Sequence, residues 1–245
     1  MSAGTRRGGV LLASVFALAS SACVAEVRPF VAPSQAEWTE ARGRLAVLRA
    51  SAPRDAYVEQ VSIAFREPGT GKIFEGRGAL AVLPRKAMRM ILVGPGGTTA
   101  LDVWVTPDAW RFSVPPIHLV KRGGREAEAT LPIGFFRWWF LAPYDGRLRT
   151  ILGRSFVLDD GAGVVTLEER LDAAGRSVAA RRKNGAVVEH LDFRGRADGK
   201  AAQGDHATYR NEATGLRVEV DVDAVGTDPP EPETFVDPDA AGGAP

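Results

Sequence analysis

Residues 91–103 read ILVGPGGTTALDV, two apolar runs either side of Gly94-Pro95-Gly96-Gly97. A glycine-rich loop can cradle a phosphate or turn a β-hairpin. A phosphate-binding loop has the form G-x-x-x-x-G-K-[ST] and opens a helix, so that backbone N–H groups and a lysine meet the anion. This stretch has no lysine. The run after it has period two, with Leu101, Val103 and Val105 alternating with Asp102 and Trp104. Residues 69–72, GTGK, carry a lysine but lack the upstream glycine and the Ser/Thr. Both loops are turns, and the chain around them is β.

Working outward, the same alternation recurs. Val61, Ile63 and Phe65 share one side of a run, Ile73 to Leu83 is extended, and Met88, Met90 and Leu92 share a face opposite Arg89. Trp110, Phe112 and Val114 alternate with Arg111 and Ser113. Five runs joined by short turns predict an antiparallel meander, a sheet or a barrel. Later strands are predicted at 155–158, 163–170, 176–182, 187–193, 205–210 and 216–222. Ahead of the first strand, Trp38, Ala41, Leu45 and Leu48 make one apolar stripe, which predicts a helix weakened by Gly43.

The meander pauses at residues 131–146, LPIGFFRWWFLAPYDG. Pro132 suits a first helical turn and Pro143 a stop. A short helix apolar almost all round is buried or sits against lipid. The chain from Asp228 is proline-rich and acidic. Phe235 and Val236 are candidates to pin it, and residues 237–245 read as a disordered tail.

The N-terminus carries Arg6 and Arg7 before an apolar or small run from Val10 to Ala22. That run is shorter than the roughly 20 residues a bilayer span takes, and residues 1–22 read as a signal peptide. Cys23 is the single cysteine, so no intrachain disulfide forms. Its place directly after Ser20-Ser21-Ala22 resembles the lipobox of bacterial lipoproteins, with Ser20 where leucine is usual. That resemblance implies cleavage before Cys23 and acylation of it, with ordinary cleavage and a stray thiol as the alternative. Val24, in place of an aspartate, implies the outer rather than the inner membrane. Residues 23–34 then form a lipidated N-terminus and linker, and 35–236 a single domain. Without residues 1–22 the chain has 29 Lys+Arg against 30 Asp+Glu, which gives no electrostatic basis for holding nucleic acid.

No constellation for catalysis stands out. His118, His190 and His206 are far apart, with no metal-ligating spacing. No G-x-S-x-G nucleophile elbow is present. The adjacent carboxylates Asp159/Asp160 and Glu168/Glu169 point to opposite faces of a strand. Neither a catalytic set, a metal nor a cofactor is expected; an enzyme built from scattered residues ranks third among the readings. A barrel closed only in part by helices leaves an apolar hollow at its mouth, of the kind that takes acyl chains. Met88, Met90, Leu92, Leu101, Val103, Trp110, Phe112, Phe135 and Trp138 are the candidates to line it, plain core being the alternative.

The stretch from Phe74 to Val105, FEGRGALAVLPRKAMRMILVGPGGTTALDVWV, resembles the LolA/LolB lipoprotein-localisation family in the region of its strands 2 to 4. LPIGFFRWWFLAPYDG is similar to the proline-bounded aromatic helix of the LolB branch. The resemblance implies a mainly β fold, a half-open antiparallel barrel of about eleven strands with short helices over its mouth. It implies a monomer, lipid-anchored in the outer membrane and facing the periplasm, that binds acyl chains of lipoproteins or other lipid, with a LolA-like periplasmic carrier as partner. Pro95, Gly96 and Gly97 fall in the family's membrane-contact loop, with Gly96 where a bulky apolar residue is usual. The expectation is that Gly97 supplies the turn and Gly96 is free to vary; the alternative is that the backbone needs a positive φ at one or both glycines. The alternative function is a non-catalytic envelope interaction protein whose hollow is filled by its own side chains.

Overall fold

The structure, a computed structural model, describes residues 32–66, 68–126, 130–161, 164–169, 176–183, 186–194 and 202–240. Cys23 and the signal peptide expected at 1–22 lie outside them. The described residues from Pro33 onward cluster as one unit.

The period-two runs become β1 (Tyr57–Arg66), β2 (Ile73–Leu83), β3 (Ala87–Val93), β4 (Thr99–Val105), β5 (Trp110–Val114) and β6 (Leu119–Gly123). The second series is β7 (Arg147–Leu152), β8 (Ser155–Asp159), β9 (Val164–Glu169), β10 (Arg176–Lys183), β11 (Ala186–Arg194), β12 (His206–Asn211) and β13 (Arg217–Val225). All thirteen form one antiparallel sheet in the order β6-β5-β4-β3-β2-β1-β13-β12-β11-β10-β9-β8-β7. The first strand pairs with the last, Ile63 against Val220 and Phe65 against Val218. The break in the sheet therefore falls mid-chain, between β6 and β7, where the aromatic segment lies.

The sheet is mainly β and half-open as expected, with thirteen strands rather than about eleven. The two additional strands, β6 (LVKRG) and β7 (RLRTIL), are its two edges. Edges are commonly kept short and cationic, which discourages a further strand from adding, and Lys121, Arg122, Arg147 and Arg149 do this here. The same charges hide the alternation on which strand recognition from sequence depends.

Inward residues of both arms of the sheet belong to one hydrophobic cluster, from Met88, Met90 and Val103 on one side to Phe156, Leu167 and Leu191 on the other. That sharing is what curls the sheet round a common interior. Helix α1 (Gln35–Ser51) covers part of it. A capping box starts the helix: the Ser34 hydroxyl accepts from the Glu37 N–H at 3.3 Å, and the Glu37 carboxylate accepts from the Ser34 N–H at 2.6 Å. Its stripe is seated as predicted, with Ala41 and Leu45 buried and Trp38 and Leu48 half-buried, and Arg44 lies 5.3 Å over the Phe156 ring.

Candidate functional site

The interior is filled from the break in the sheet. Ile133–Phe136 form one α-turn, α2, and Arg137–Leu141 continue it as a π-helical turn. Ile133, Phe135, Phe136, Trp138, Trp139, Phe140 and Leu141 are all buried. Phe135 stacks on Tyr209 of β12 with centroids 5.0 Å apart, and Trp139 meets Phe193 of β11 at 4.3 Å. Phe140 packs against both Phe135 and Phe136. This aromatic plug fills the place between the arms where strand-to-strand pairing stops.

The plug is fastened at three points. Arg137 donates to the carbonyls of Thr106 and Gly124 at 2.8 Å each and to that of Arg125. Burial lowers the Arg137 pKa, against the opposing pull of Asp108. The Arg85 N–H donates to the Leu141 carbonyl at 3.0 Å. Arg49, from the last turn of α1, donates to the carbonyls of Tyr144 at 3.0 Å and Gly146 at 2.6 Å.

A fourth contact comes from a buried polar cluster. Arg181 of β10 joins Asp160 at 2.7 Å and Glu189 of β11, and its guanidinium lies 4.6 Å from the centre of the Trp138 ring. Tyr209 donates its hydroxyl to Glu189 at 2.7 Å. Burial pulls the Arg181 pKa down, and the carboxylates of Glu189 and Asp160 more than reverse it. Burial, with the Glu189 charge beside it, pushes the Tyr209 phenol far up. These four polar residues come from separate strands and loops, and no spacing in the sequence joins them. Glu59, wholly buried on the inward side of β1, is equally invisible to sequence reasoning.

The nine residues expected to line a hollow, Met88, Met90, Leu92, Leu101, Val103, Trp110, Phe112, Phe135 and Trp138, are 0–5% exposed and belong to the one core cluster. Seven of them are strand residues facing one interior, and Phe135 and Trp138 belong to the plug that occupies it. The cavity that remains beside the plug is about 40 Å³, bounded by Tyr57, Pro84, Trp139 and Phe140. It holds a water or so, not an acyl chain. Arg49, Arg54 and Arg85 stand at the adjoining cleft between α1 and the β2–β3 turn.

The 94–98 loop lies at the opposite end of the sheet from that cleft. Gly96 has φ 78° and Gly97 φ 77°. Both are in the left-handed region, which corrects the expectation that Gly97 alone makes the turn and Gly96 is free to vary. The antiparallel order puts Ile73, Phe74, Val93 and Ile117 at this same end, and all four are exposed. Pro95-Gly96-Gly97 itself forms a 3₁₀ turn.

No group of His, Cys, Asp and Glu among the described residues could hold a metal ion. His206 pairs with Asp221 at 2.7 Å on the outer surface.

No family model matches the chain, and no curated protein matches it. Solved structures with a similar chain course include a LolA superfamily protein from Nitrosomonas europaea, at 10% identity, covering 80% of this chain and 97% of that one, TM-score 0.43. A domain described as an outer membrane lipoprotein-sorting protein, from Vibrio parahaemolyticus, aligns at 12% identity over 80% and 97%, TM-score 0.45. A DUF1329 family protein from Desulfovibrio piger aligns at 10% identity over 82% and 98%, TM-score 0.47.

Proposed function

We propose that this chain is a lipid-anchored outer-membrane protein, facing the periplasm, whose curled sheet takes up acyl chains in exchange for its own aromatic plug. The observation that carries the reading is the plug itself. An apolar interior open along one side is filled by Ile133–Leu141, a segment bounded by two prolines and fastened at a few points rather than paired into the sheet. Burying an apolar side chain is worth about 1.5–3 kcal/mol, so the seven buried residues Ile133, Phe135, Phe136 and Trp138–Leu141 hold on the order of ten or more. An acyl chain gains about 0.8 kcal/mol per methylene. Roughly a dozen methylenes are therefore needed to offset the plug, which selects long chains over short ones.

Membrane contact at the 94–98 end fits the same reading. Gly96 has no side chain to insert, but Ile73, Phe74, Val93 and Ile117 supply an exposed apolar rim beside it. Lipoprotein or lipid trafficking is the role such binding serves, with Cys23 as anchor and a LolA-like carrier as donor.

A second reading is favoured by the completeness of the filling: a non-catalytic envelope protein whose plug is permanent and which docks another protein. Extraction of protein purified from its native membrane, followed by mass spectrometry, separates the two. Long-chain lipid in equimolar amount, beyond the chains attached at Cys23, supports uptake. Its absence supports the permanent plug.

A further inference from the structure

The outer face of the sheet carries a row that acyl-chain uptake does not use. Arg89 of β3, Trp104 of β4, Arg111 of β5 and Arg122 of β6 are successive cross-strand partners. Directly opposed residues project to the same side, and their chain neighbours Met88, Met90, Val103, Val105, Trp110 and Phe112 face the core. One carboxylate, Asp102, is bridged by Arg89 at 3.1 Å and by Arg111 at 3.2 Å. Three guanidinium groups against one carboxylate leave this ledge with two positive charges in excess.

The chain's own C-terminal segment lies across it. Pro232–Phe235 form a 3₁₀ turn, and the Phe235 carbonyl accepts from the Trp104 indole N–H at 2.8 Å. Asp239 pairs with Arg111 at 3.2 Å and with Arg122, and Asp237 approaches Arg122 at 3.5 Å. Two carboxylates, two residues apart, thus match the two excess charges. The fastening is peripheral: Asp237, Asp239 and Arg122 are 30–46% exposed, only Arg111 being largely buried, and exposed ion pairs contribute little to stability. Trp104, only 9% exposed, lies beneath the strap and holds it through its indole N–H.

We propose that this ledge is a docking surface for an acidic, proline-containing segment of a partner protein, and that residues 232–239 occupy it as a displaceable internal ligand. The strap defines what fits: a carbonyl over Trp104, then two carboxylates at alternate positions on Arg111 and Arg122. The inference is independent of acyl-chain uptake.

The test uses the full chain and a fluorescein-labelled peptide of residues 231–239, EPETFVDPD. In Asp237→Asn/Asp239→Asn protein the strap is weakened, and the peptide should bind about tenfold more tightly than to the unaltered protein. A peptide with asparagine at both aspartate positions should not bind. Adding Arg122→Gln, an exposed change, should remove the gain, with the thermal unfolding midpoint confirming that each variant is folded. Equal binding, or none, to both proteins would overturn the proposal and make the strap a fixture. Three other results would also overturn it. Binding of phosphatidylglycerol vesicles by the double variant without peptide binding would assign the ledge to a lipid surface. A dimer of the unaltered protein that the double variant loses would assign it to the strap of a second copy. A signal equal for both peptides would mean that the carboxylates are not read.

Discussion

The Arg181 guanidinium lies 4.6 Å from the centre of the Trp138 ring while bound to Asp160 and Glu189. One cation thereby joins the plug to the polar end of the interior, and Tyr209 closes the cluster from the next strand through Glu189. The stability of this arrangement is tied to the protonation of Tyr209.

Burial raises the Tyr209 pKa in the folded state. A raised folded value means that the contribution is fully present below the unfolded tyrosine pKa, about 10, and is lost as pH rises beyond it. The unfolding midpoint of the unaltered protein should therefore fall above pH of about 10 more steeply than that of Tyr209→Phe. Parallel curves across that window would contradict the assignment, since the lysines and other tyrosines titrate in both proteins.

Arg137 is the most connected fastening of the plug, with three carbonyl acceptors. Arg137→Ala should cost about 2–4 kcal/mol, because hydrogen bonds to charged groups are individually worth about 1.5–3. In chemical denaturation the midpoint should drop, and uptake of a fluorescent long-chain fatty acid should rise in the same variant. Lower stability with unchanged uptake would separate Arg137 from the plug's release.

At Gly96 no neighbouring atom lies within 4 Å of where a Cβ would stand, so space is not the constraint. The left-handed backbone is. Gly96→Leu should lose about 1–2 kcal/mol, and Gly96→Asn less, because asparagine tolerates this conformation. Thermal melts of the two variants check the order; a leucine variant as stable as the parent would contradict it.

Cys23→Ser tests the anchor. Membrane fractionation should find the variant as an uncleaved or soluble precursor, because stable anchoring takes more than one acyl chain and those chains depend on this sulfur. A variant that is cleaved and still fractionates with the outer membrane would defeat the lipid anchor.

Legibility of this fold in the sequence tracks how strongly each segment's burial alternates. Strand β2 is predicted at its observed bounds, Ile73 to Leu83, and β13 is unmistakable because Val218, Val220 and Val222 are buried between exposed Arg217, Glu219 and Asp221. The edges β6 and β7 escape sequence reading because arginine and lysine interrupt the pattern there. The plug is legible as a proline-bounded apolar helix, but its π-helical second turn and the loop carbonyls that Arg137 finds at Thr106, Gly124 and Arg125 are not. The Arg181–Glu189–Tyr209–Asp160 cluster depends on strand register, which no local pattern encodes. The strap is half legible: Phe235 does pin it, through its carbonyl rather than its ring, and the described chain runs on to Ala240 with Asp237 and Asp239 in ion pairs.

The central claim is that the plug and an acyl chain compete for one interior, and the direct measurement is a chain-length series on the mature protein. Fluorescent analogues of octanoate, laurate and palmitate are titrated in turn. The plug's burial, on the order of ten kcal/mol against about 0.8 per methylene, predicts no uptake of the octanoate analogue, marginal uptake of laurate and clear, saturable uptake of palmitate. No uptake at any length, or uptake indifferent to length, would contradict the exchange.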